Sequence, residues 1–92
     1  MLIYLKGPFL STKLFVGSLP WSVDDTTLKT AFEKHGSVVS AKVIMDRDTG
    51  KSRGFGFVEM GNQADAINAI RALNETELKG RNIVVNQAKE RN

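Results

Sequence analysis

Apolar residues recur along this chain with two periods, one typical of strands and one typical of helices. Four segments alternate or are rich in β-favouring residues, as strands are: residues 13–19, 38–45, 53–60 and 82–86. Two further segments repeat apolar residues every three or four positions, which predicts amphipathic helices. The residues at this spacing are Leu28, Ala31 and Phe32, followed by His35, in the first helix, and Ala66, Ala69, Ile70 and Leu73 in the second.

Residues that favour caps and turns separate these segments. Asp24 is placed to cap the first helix, and Gly36 is placed to end it. Gly61 and Asn62 introduce the second helix. Residues 46–51, Asp-Arg-Asp-Thr-Gly-Lys, combine short acceptor side chains with a glycine, as tight turns do. This turn predicts that the strands on either side of it pair antiparallel.

The resulting order of elements is strand, helix, strand, strand, helix, strand. It predicts an α+β fold, the ferredoxin-like βαββαβ sandwich: a four-stranded antiparallel sheet with two helices on one face and its first and third strands adjacent. The 92 residues allow one domain. We expect this domain to span 13–88, between a poorly ordered apolar leader at 1–12 and a charged tail at 89–92.

The third strand divides its side chains between the two faces of the sheet. Because side chains alternate along a strand, Phe55 and Phe57 point away from the helices, with Arg53 beside them. The first strand likewise turns Lys13 and Phe15 outward, because the residues on either side of Phe15 are the natural core pair. The alternate glycines of the third strand are expected to let its backbone lie close to a packed helix. No third helix is predicted that would cover the opposite face.

Three exposed rings need an explanation, since each leaves ~1.5–3 kcal/mol of burial free energy unrealised. Exposed apolar patches usually mark binding sites. Flat rings beside cations suit single-stranded nucleic acid, because bases stack on the rings while Lys and Arg meet the phosphates. The sequence therefore predicts a nucleic-acid-binding face that contains Phe15, Phe55, Phe57, Arg53 and Lys13.

Two of the strand segments resemble the motifs of the RNA recognition motif family. Residues 14–19, Leu-Phe-Val-Gly-Ser-Leu, are similar to its hexamer, and residues 53–60, Arg-Gly-Phe-Gly-Phe-Val-Glu-Met, fit its octamer at seven of eight positions. The likeness extends over 13–88 and is closest to small single-motif proteins of bacteria and organelles. Met60 replaces the last aromatic residue of the octamer but points inward. Ser18 stands where asparagine is usual, a difference that we discount because serine also accepts a turn hydrogen bond.

The resemblance implies a role for each residue of the predicted face. Phe15 and Phe55 would stack on bases, Phe57 would pack against sugars, and Arg53 would pair with phosphate. For the cations among the supporting candidates, a merely solvated surface role is the alternative. Trp21 is expected to pack against the first helix, with exposure beside the rings as its alternative. The supporting candidates are Lys42, Ile44, Arg47, Lys51, Val84, Asn86, Gln87, Ala88, Lys89 and Arg91.

Composition and charge narrow the classes of function. The formal net charge is +3, and the predicted helix segments are net negative, so the other side of the fold is basic and suits a polyanion. The absence of cysteine and the single histidine, His35, leave little material for a metal or catalytic site. We therefore expect no enzyme activity, no cofactor and no metal. No apolar run approaches the ~20 residues of a membrane span, and we expect a cytoplasmic protein that does not associate with membranes.

Single-stranded RNA is the expected partner, bound by a monomer. Single-stranded DNA stays open, because discrimination rests on 2′-hydroxyl contacts that the sequence does not reveal. A protein-interaction module of the same fold is the alternative from another class. The apolar leader at 1–12 would then cover the rings or mediate self-association.

Overall fold

The computed structural model describes residues 12–88 and confirms the predicted α+β fold. The predicted leader and tail lie outside the described residues, apart from Thr12. In chain order the elements are β1 (Lys13–Gly17), α1 (Asp25–Glu33), β2 (Val38–Met45), β3 (Ser52–Met60), α2 (Gln63–Leu73), β4 (Glu77–Leu78), β5 (Arg81–Asn82) and β6 (Val84–Gln87). Strands β2, β3, β1 and β6 form a four-stranded antiparallel sheet in that order, so the predicted neighbours β1 and β3 lie at its centre.

Both helices pack on one face of this sheet. The alternate strand residues Leu14, Val58 and Met60 are buried, as the alternation predicts. They share one apolar cluster with Phe32 of α1 and Ala69 of α2. Since the buried residues of both helices belong to that cluster, the opposite face of the sheet carries neither helix.

Helix α1 begins as predicted and ends earlier than predicted. The backbone N–H of Thr27 donates to Oδ1 of Asp24 at 2.8 Å, which confirms Asp24 as the N-cap. This bond also holds the pKa of the Asp24 carboxyl below its usual value of 3.8. His35 lies beyond the helix, contrary to the prediction, although its N–H still donates to the carbonyl oxygen of Phe32 at 3.0 Å.

The predicted last strand at 82–86 is in fact two strands. Strand β5 pairs with β4 as a separate hairpin, and only β6 joins the main sheet. Lys79 and Gly80 connect β4 to β5 with φ angles of 54° and 91°, and two positive φ angles are what a type I′ turn requires. Ile83, between β5 and β6, is buried in the core and donates its N–H to the carbonyl oxygen of Thr76 at 2.9 Å.

Two features are absent from residues 12–88. No helix in this part of the chain is long and apolar enough to cross a membrane. No group of three or more His, Cys, Asp or Glu side chains within it is arranged to hold a metal ion.

Candidate nucleic-acid interface

One residue from each strand of the main sheet lies in a single row across its open face. Lys42 of β2 is opposite Phe57 of β3, and Phe57 is opposite Phe15 of β1. Phe15 is in turn opposite Asn86 of β6. Opposite residues of antiparallel strands have Cβ atoms about 4.5–5.5 Å apart, close enough for their side chains to interact. This cross-strand row therefore places a cation, two rings and an amide side by side.

The rings of Phe15, Phe55 and Phe57 form an aromatic platform on the same face. The ring centroids lie 5.8 Å apart for Phe15 and Phe55, 5.9 Å for Phe15 and Phe57, and 6.2 Å for Phe55 and Phe57. All three distances lie in the range of attractive ring pairs. Phe57 stands edge-on to both neighbours, whereas the planes of Phe15 and Phe55 differ by only 30°. The half-buried rings of Phe15 and Phe55 are thus similarly inclined, and the ring of Phe57 is turned away from both planes.

Gly17 lets the ring of Phe15 lie over the backbone of β1. A Cβ atom added to Gly17 would lie 2.9 Å from Cε2 of Phe15, closer than two carbon atoms approach without bonding. Gly17 is buried, although it belongs to the open face. Val16 pairs with Gly56, and the next residues along the two antiparallel strands are Gly17 and Phe55. The ring of Phe15 therefore leans toward Phe55 across the space that Gly17 leaves.

Gly56 makes room for a strand, and the expectation of a packed helix at this position is wrong. A Cβ atom on Gly56 would lie 2.5 Å from the carbonyl oxygen of Lys42 and 3.1 Å from Cα of Val43, both on β2. The N–H of Val43 donates to Oδ1 of Asp25 at 2.7 Å, which ties β2 to the start of α1. The missing side chain and this bond together fix the backbone that carries Lys42 beside Phe57.

The predicted cations are distributed unevenly around the platform. Lys42 in the cross-strand row and Arg53 at the start of β3 are exposed. Lys13 is also exposed, but it lies opposite Glu59 in the β1–β3 register. Opposite charges at such positions attract each other, so the charge of Lys13 is less available than that of Lys42. Lys89 lies outside the described residues.

The loop between β2 and β3 is held in shape by Asp46. The carboxylate of Asp46 accepts the N–H groups of Thr49 at 3.1 Å and Asp48 at 2.8 Å, and these bonds, chiefly that from Thr49, lower the pKa of Asp46 below its usual value. The N–H of Asp46 donates to the carbonyl oxygen of Lys51 at 2.7 Å. The exposed cation Arg47 lies in the same loop. The backbone of Lys51 therefore has a defined place just before β3.

Trp21 is exposed, so the expectation that it packs against the first helix is wrong. Its side chain is 71% exposed. The Nζ atom of Lys51 lies 5.5 Å from the centroid of the indole, which is a cation–π contact. The alternative that the sequence left open was exposure beside the rings, and the structure shows the exposure.

The far end of the cross-strand row opens onto a groove that the sequence did not reveal. Asn86 is exposed, Gln87 is half-buried, and Ala88 is buried with its N–H donated to the carbonyl oxygen of Lys13 at 2.8 Å. The groove has a volume of about 670 Å³ and connects the platform with α2. Ile67 is the sequence signal that would have indicated this groove, because it is an apolar residue that lies outside the apolar spacing predicted for the second helix. The lining residues are Phe15, Phe57, Ile67, Ile70, Asn86, Gln87 and Ala88.

The sequence that forms this face matches a known protein family. The family profile described as "RNA recognition motif" matches residues 14–84. This chain belongs to the RNA recognition motif family. The motif is 52% identical over 82 residues to "Glycine-rich RNA-binding protein 2, mitochondrial" of Arabidopsis thaliana, in a match that covers 89% of this chain and 52% of that protein. It is 51% identical over 81 residues to "28 kDa ribonucleoprotein, chloroplastic" of Spinacia oleracea, with 88% and 35% covered.

A solved structure shows the same RNA recognition motif fold. The "Crystal Structure of RNA Binding Protein PG1" matches with a TM-score of 0.83 and 45% sequence identity, over 89% of this chain and 99% of that one. The resemblance inferred from the two strand motifs is therefore confirmed. The chain spans about half the length of the mitochondrial relative and about a third of the chloroplastic one.

The expectation of a cytoplasmic location is wrong. The two relatives of this RNA recognition motif are named mitochondrial and chloroplastic, and neither is named as a cytoplasmic protein. The prediction failed because the lack of a membrane-spanning run does not distinguish the cytoplasm from the interior of an organelle.

Ser18, which departs from the family hexamer, has a backbone conformation that the sequence argument did not consider. Its φ angle is 57°, in the left-handed region that asparagine and glycine tolerate better than serine does. The next residue, Leu19, donates its N–H to the carbonyl oxygen of Gly54 at 2.8 Å, which holds this conformation in place. The departure therefore concerns the backbone of the turn and not the hydrogen bonding of the side chain.

Proposed function

We propose that this RNA recognition motif binds single-stranded RNA on the open face of its sheet. The observation that carries the proposal is the cross-strand row, in which two rings of the aromatic platform lie between the Lys42 ammonium and the Asn86 amide. Bases stack on aromatic rings with about 1–3 kcal/mol each, while cations neutralise the phosphates. The names of the relatives, an RNA-binding protein and a ribonucleoprotein, support the same class of partner.

The three rings have two different roles in this proposal. Phe15 and Phe55 each stack one base, because their half-buried rings are similarly inclined on the open face. The plane of Phe57 is turned by 67° and 90° from those two rings, so it does not continue their stacking surfaces. It therefore packs against the sugars that connect the two stacked bases.

The polar residues around the platform hold the backbone and read the bases. Lys42 and Arg53 neutralise phosphates from two sides, with Lys51 at the loop and a weaker contribution from Lys13. Asn86 carries both a donor and an acceptor on its amide, so it hydrogen-bonds a base edge at the β6 end of the row. RNA proteins commonly combine stacking with this kind of hydrogen bonding to splayed single-stranded bases.

The cross-strand row is complete within one copy of the chain, since each strand of the sheet contributes one residue to it. We therefore assign RNA binding to the unit 13–88 acting as a monomer. The alternative of a leader that covers the platform or mediates self-association involves residues outside the described part of the chain.

The test measures how a fluorescein-labelled RNA decamer of random sequence binds, by fluorescence anisotropy. The variants Phe15→Leu and Phe55→Leu keep apolar volume but remove the flat ring, so each is expected to weaken binding by about 1–3 kcal/mol. Val39→Ala is the matched control, because Val39 is exposed on β2 but belongs neither to the platform nor to the row. Circular dichroism of each variant checks that the fold persists.

The outcomes separate the candidate partners. Wild-type affinity in both leucine variants would contradict the stacking roles. Equal affinity for a DNA decamer of the corresponding random sequence would indicate a general binder of single strands. Failure to bind either nucleic acid would favour the protein-interaction alternative.

A further inference from the structure

Trp21 is the most exposed of the large apolar side chains between residues 12 and 88. Leu19 and Val23, two positions away on either side, are buried in the core. The N–H of Val23 donates to the carbonyl oxygen of Pro20 at 3.1 Å, which closes a turn with Trp21 at its first corner. The indole is therefore held outward between two buried anchors, and little conformational freedom is lost when a ligand contacts it.

The same turn is fixed to the binding face. The N–H of Leu19 donates to the carbonyl oxygen of Gly54 at 2.8 Å. Gly54 lies between Arg53 and Phe55 on β3, so this bond attaches the turn to the strand beside one ring of the platform. A strand of RNA that extends past Phe55 at this end of the sheet reaches Trp21 next.

A cation accompanies the exposed indole. The Nζ atom of Lys51 lies 5.5 Å from the ring centroid, and the Lys51 carbonyl oxygen is bonded by the N–H of Asp46. An apolar peptide would need the ring alone. A nucleotide needs a flat π surface for its base and a positive charge for its phosphate, and Trp21 with Lys51 supplies both.

We propose that Trp21 and Lys51 form a further nucleotide-binding subsite beyond the end of the aromatic platform. The indole stacks one base, and the Lys51 ammonium meets the adjoining phosphate. The proposal rests on the proposed RNA binding, because the subsite takes the nucleotide next to those held by Phe15 and Phe55.

Trp21 is the only tryptophan of the chain, so tryptophan emission reports this subsite alone. The full chain is titrated with the unlabelled random RNA decamer while emission is recorded. Stacking of a base on the indole is expected to quench the emission, with the same midpoint as the anisotropy titration. The variant Phe55→Leu is expected to shift both midpoints to higher RNA concentration together.

Two substitutions test the subsite by affinity. Trp21→Leu is expected to weaken decamer binding by roughly 5- to 30-fold, the lower part of the range for stacking on an aromatic ring. Trp21→Phe, which keeps a π surface, is expected to lose less. Lys51→Met is expected to weaken binding, whereas the matched control Lys29→Met on helix α1 is not. Because both side chains are exposed, thermal unfolding midpoints are expected to stay close to that of the wild type.

Two results would overturn the subsite alone. The first is unchanged tryptophan emission at RNA concentrations that saturate the anisotropy signal. The second is wild-type affinity of the Trp21→Leu variant. In both cases the sheet would still bind RNA, whereas an absence of any anisotropy change with the wild-type chain would overturn the proposed function and the subsite with it.

Discussion

Gly17 offers no side chain to a ligand, yet it decides where the ring of Phe15 lies. The ring occupies the space in which a Cβ atom of residue 17 would stand. Gly17 is not one of the glycines with a positive φ angle, so its backbone accepts alanine. The effect of an alanine substitution is therefore confined to the contact with the Phe15 ring. The position of the Phe15 ring thus depends on a neighbour that is itself buried.

Gly17→Ala is expected to weaken RNA binding by roughly 1 kcal/mol, the lower end of the range for one stacked base, because the added methyl group displaces the Phe15 ring. Anisotropy titration with the RNA decamer measures this change. In a Phe15→Leu background the same substitution is expected to have almost no further effect. Equal losses in both backgrounds would contradict a role through Phe15.

Single residues differ in how far the sequence predicts their place. The outward side chains of Phe15, Phe55 and Phe57 follow from strand alternation, because a strand has only two faces. The exposure of Trp21 does not follow from any period, since it depends on a turn closed by the Val23 N–H. The positive φ angle of Ser18 is likewise not predictable from the sequence, because serine is not a residue that favours this conformation.

Among the elements, helix α1 connects the core with the binding face. Its N-cap, Asp24, and its first residue, Asp25, use their carboxylates differently. Asp24 accepts the N–H of Thr27 within the helix, whereas Asp25 accepts the N–H of Val43 on β2. The start of the helix is therefore attached to the strand that carries Lys42.

The N-cap residue Asp24 makes the free energy of unfolding depend on pH. The pKa of Asp24 is lowered in the folded state from its ordinary value of 3.8, chiefly by the Thr27 N–H. The charged carboxylate therefore stabilises the fold above pH 3.8, and this contribution is lost as pH falls through the lower folded pKa. Asp46 contributes with the same sign. We expect the free energy of unfolding to decrease below this pH.

Asp24→Ser isolates the contribution of the cap, because serine caps helices about as well as aspartate but does not titrate. Urea unfolding of both proteins at pH 6, 4 and 3, followed by circular dichroism, is expected to give a shallower pH dependence for the variant. Superimposable pH profiles would contradict the assignment to Asp24.

The other elements show where sequence patterns stop being informative. Strands β1 to β3 and both helices follow from periodicity and from capping residues such as Asn62. The division of the predicted last strand into β5 and β6 does not, because it depends on the positive φ angles of Lys79 and Gly80 and on the burial of Ile83. By local propensity alone, residues 82–86 are one β-favouring segment, so the break at Ile83 is not predicted.

At the scale of the whole molecule, charge supplies the part of binding that does not depend on base identity. With about three phosphate contacts, at Lys42, Arg53 and Lys51, the logarithm of the binding constant is expected to fall with the logarithm of salt concentration with a slope near −2. Lys42→Met is expected to make the slope shallower by about 0.7. Lys29→Met serves again as the control with an unchanged slope. A flat salt response of the wild type would exclude a role for these cations.

The residues of the cross-strand row are far apart in the chain: position 15 near the start of the fold, 42 and 57 in its middle, and 86 at its last strand. No fragment that lacks β6 possesses the complete face, so a polypeptide still emerging from the ribosome gains full affinity only after that strand has docked. Once docked, bound RNA opposes its release, because a ligand that binds only the native state lowers the population of every partly opened one. Bound nucleic acid would thus protect the edge strand β6 against local unfolding.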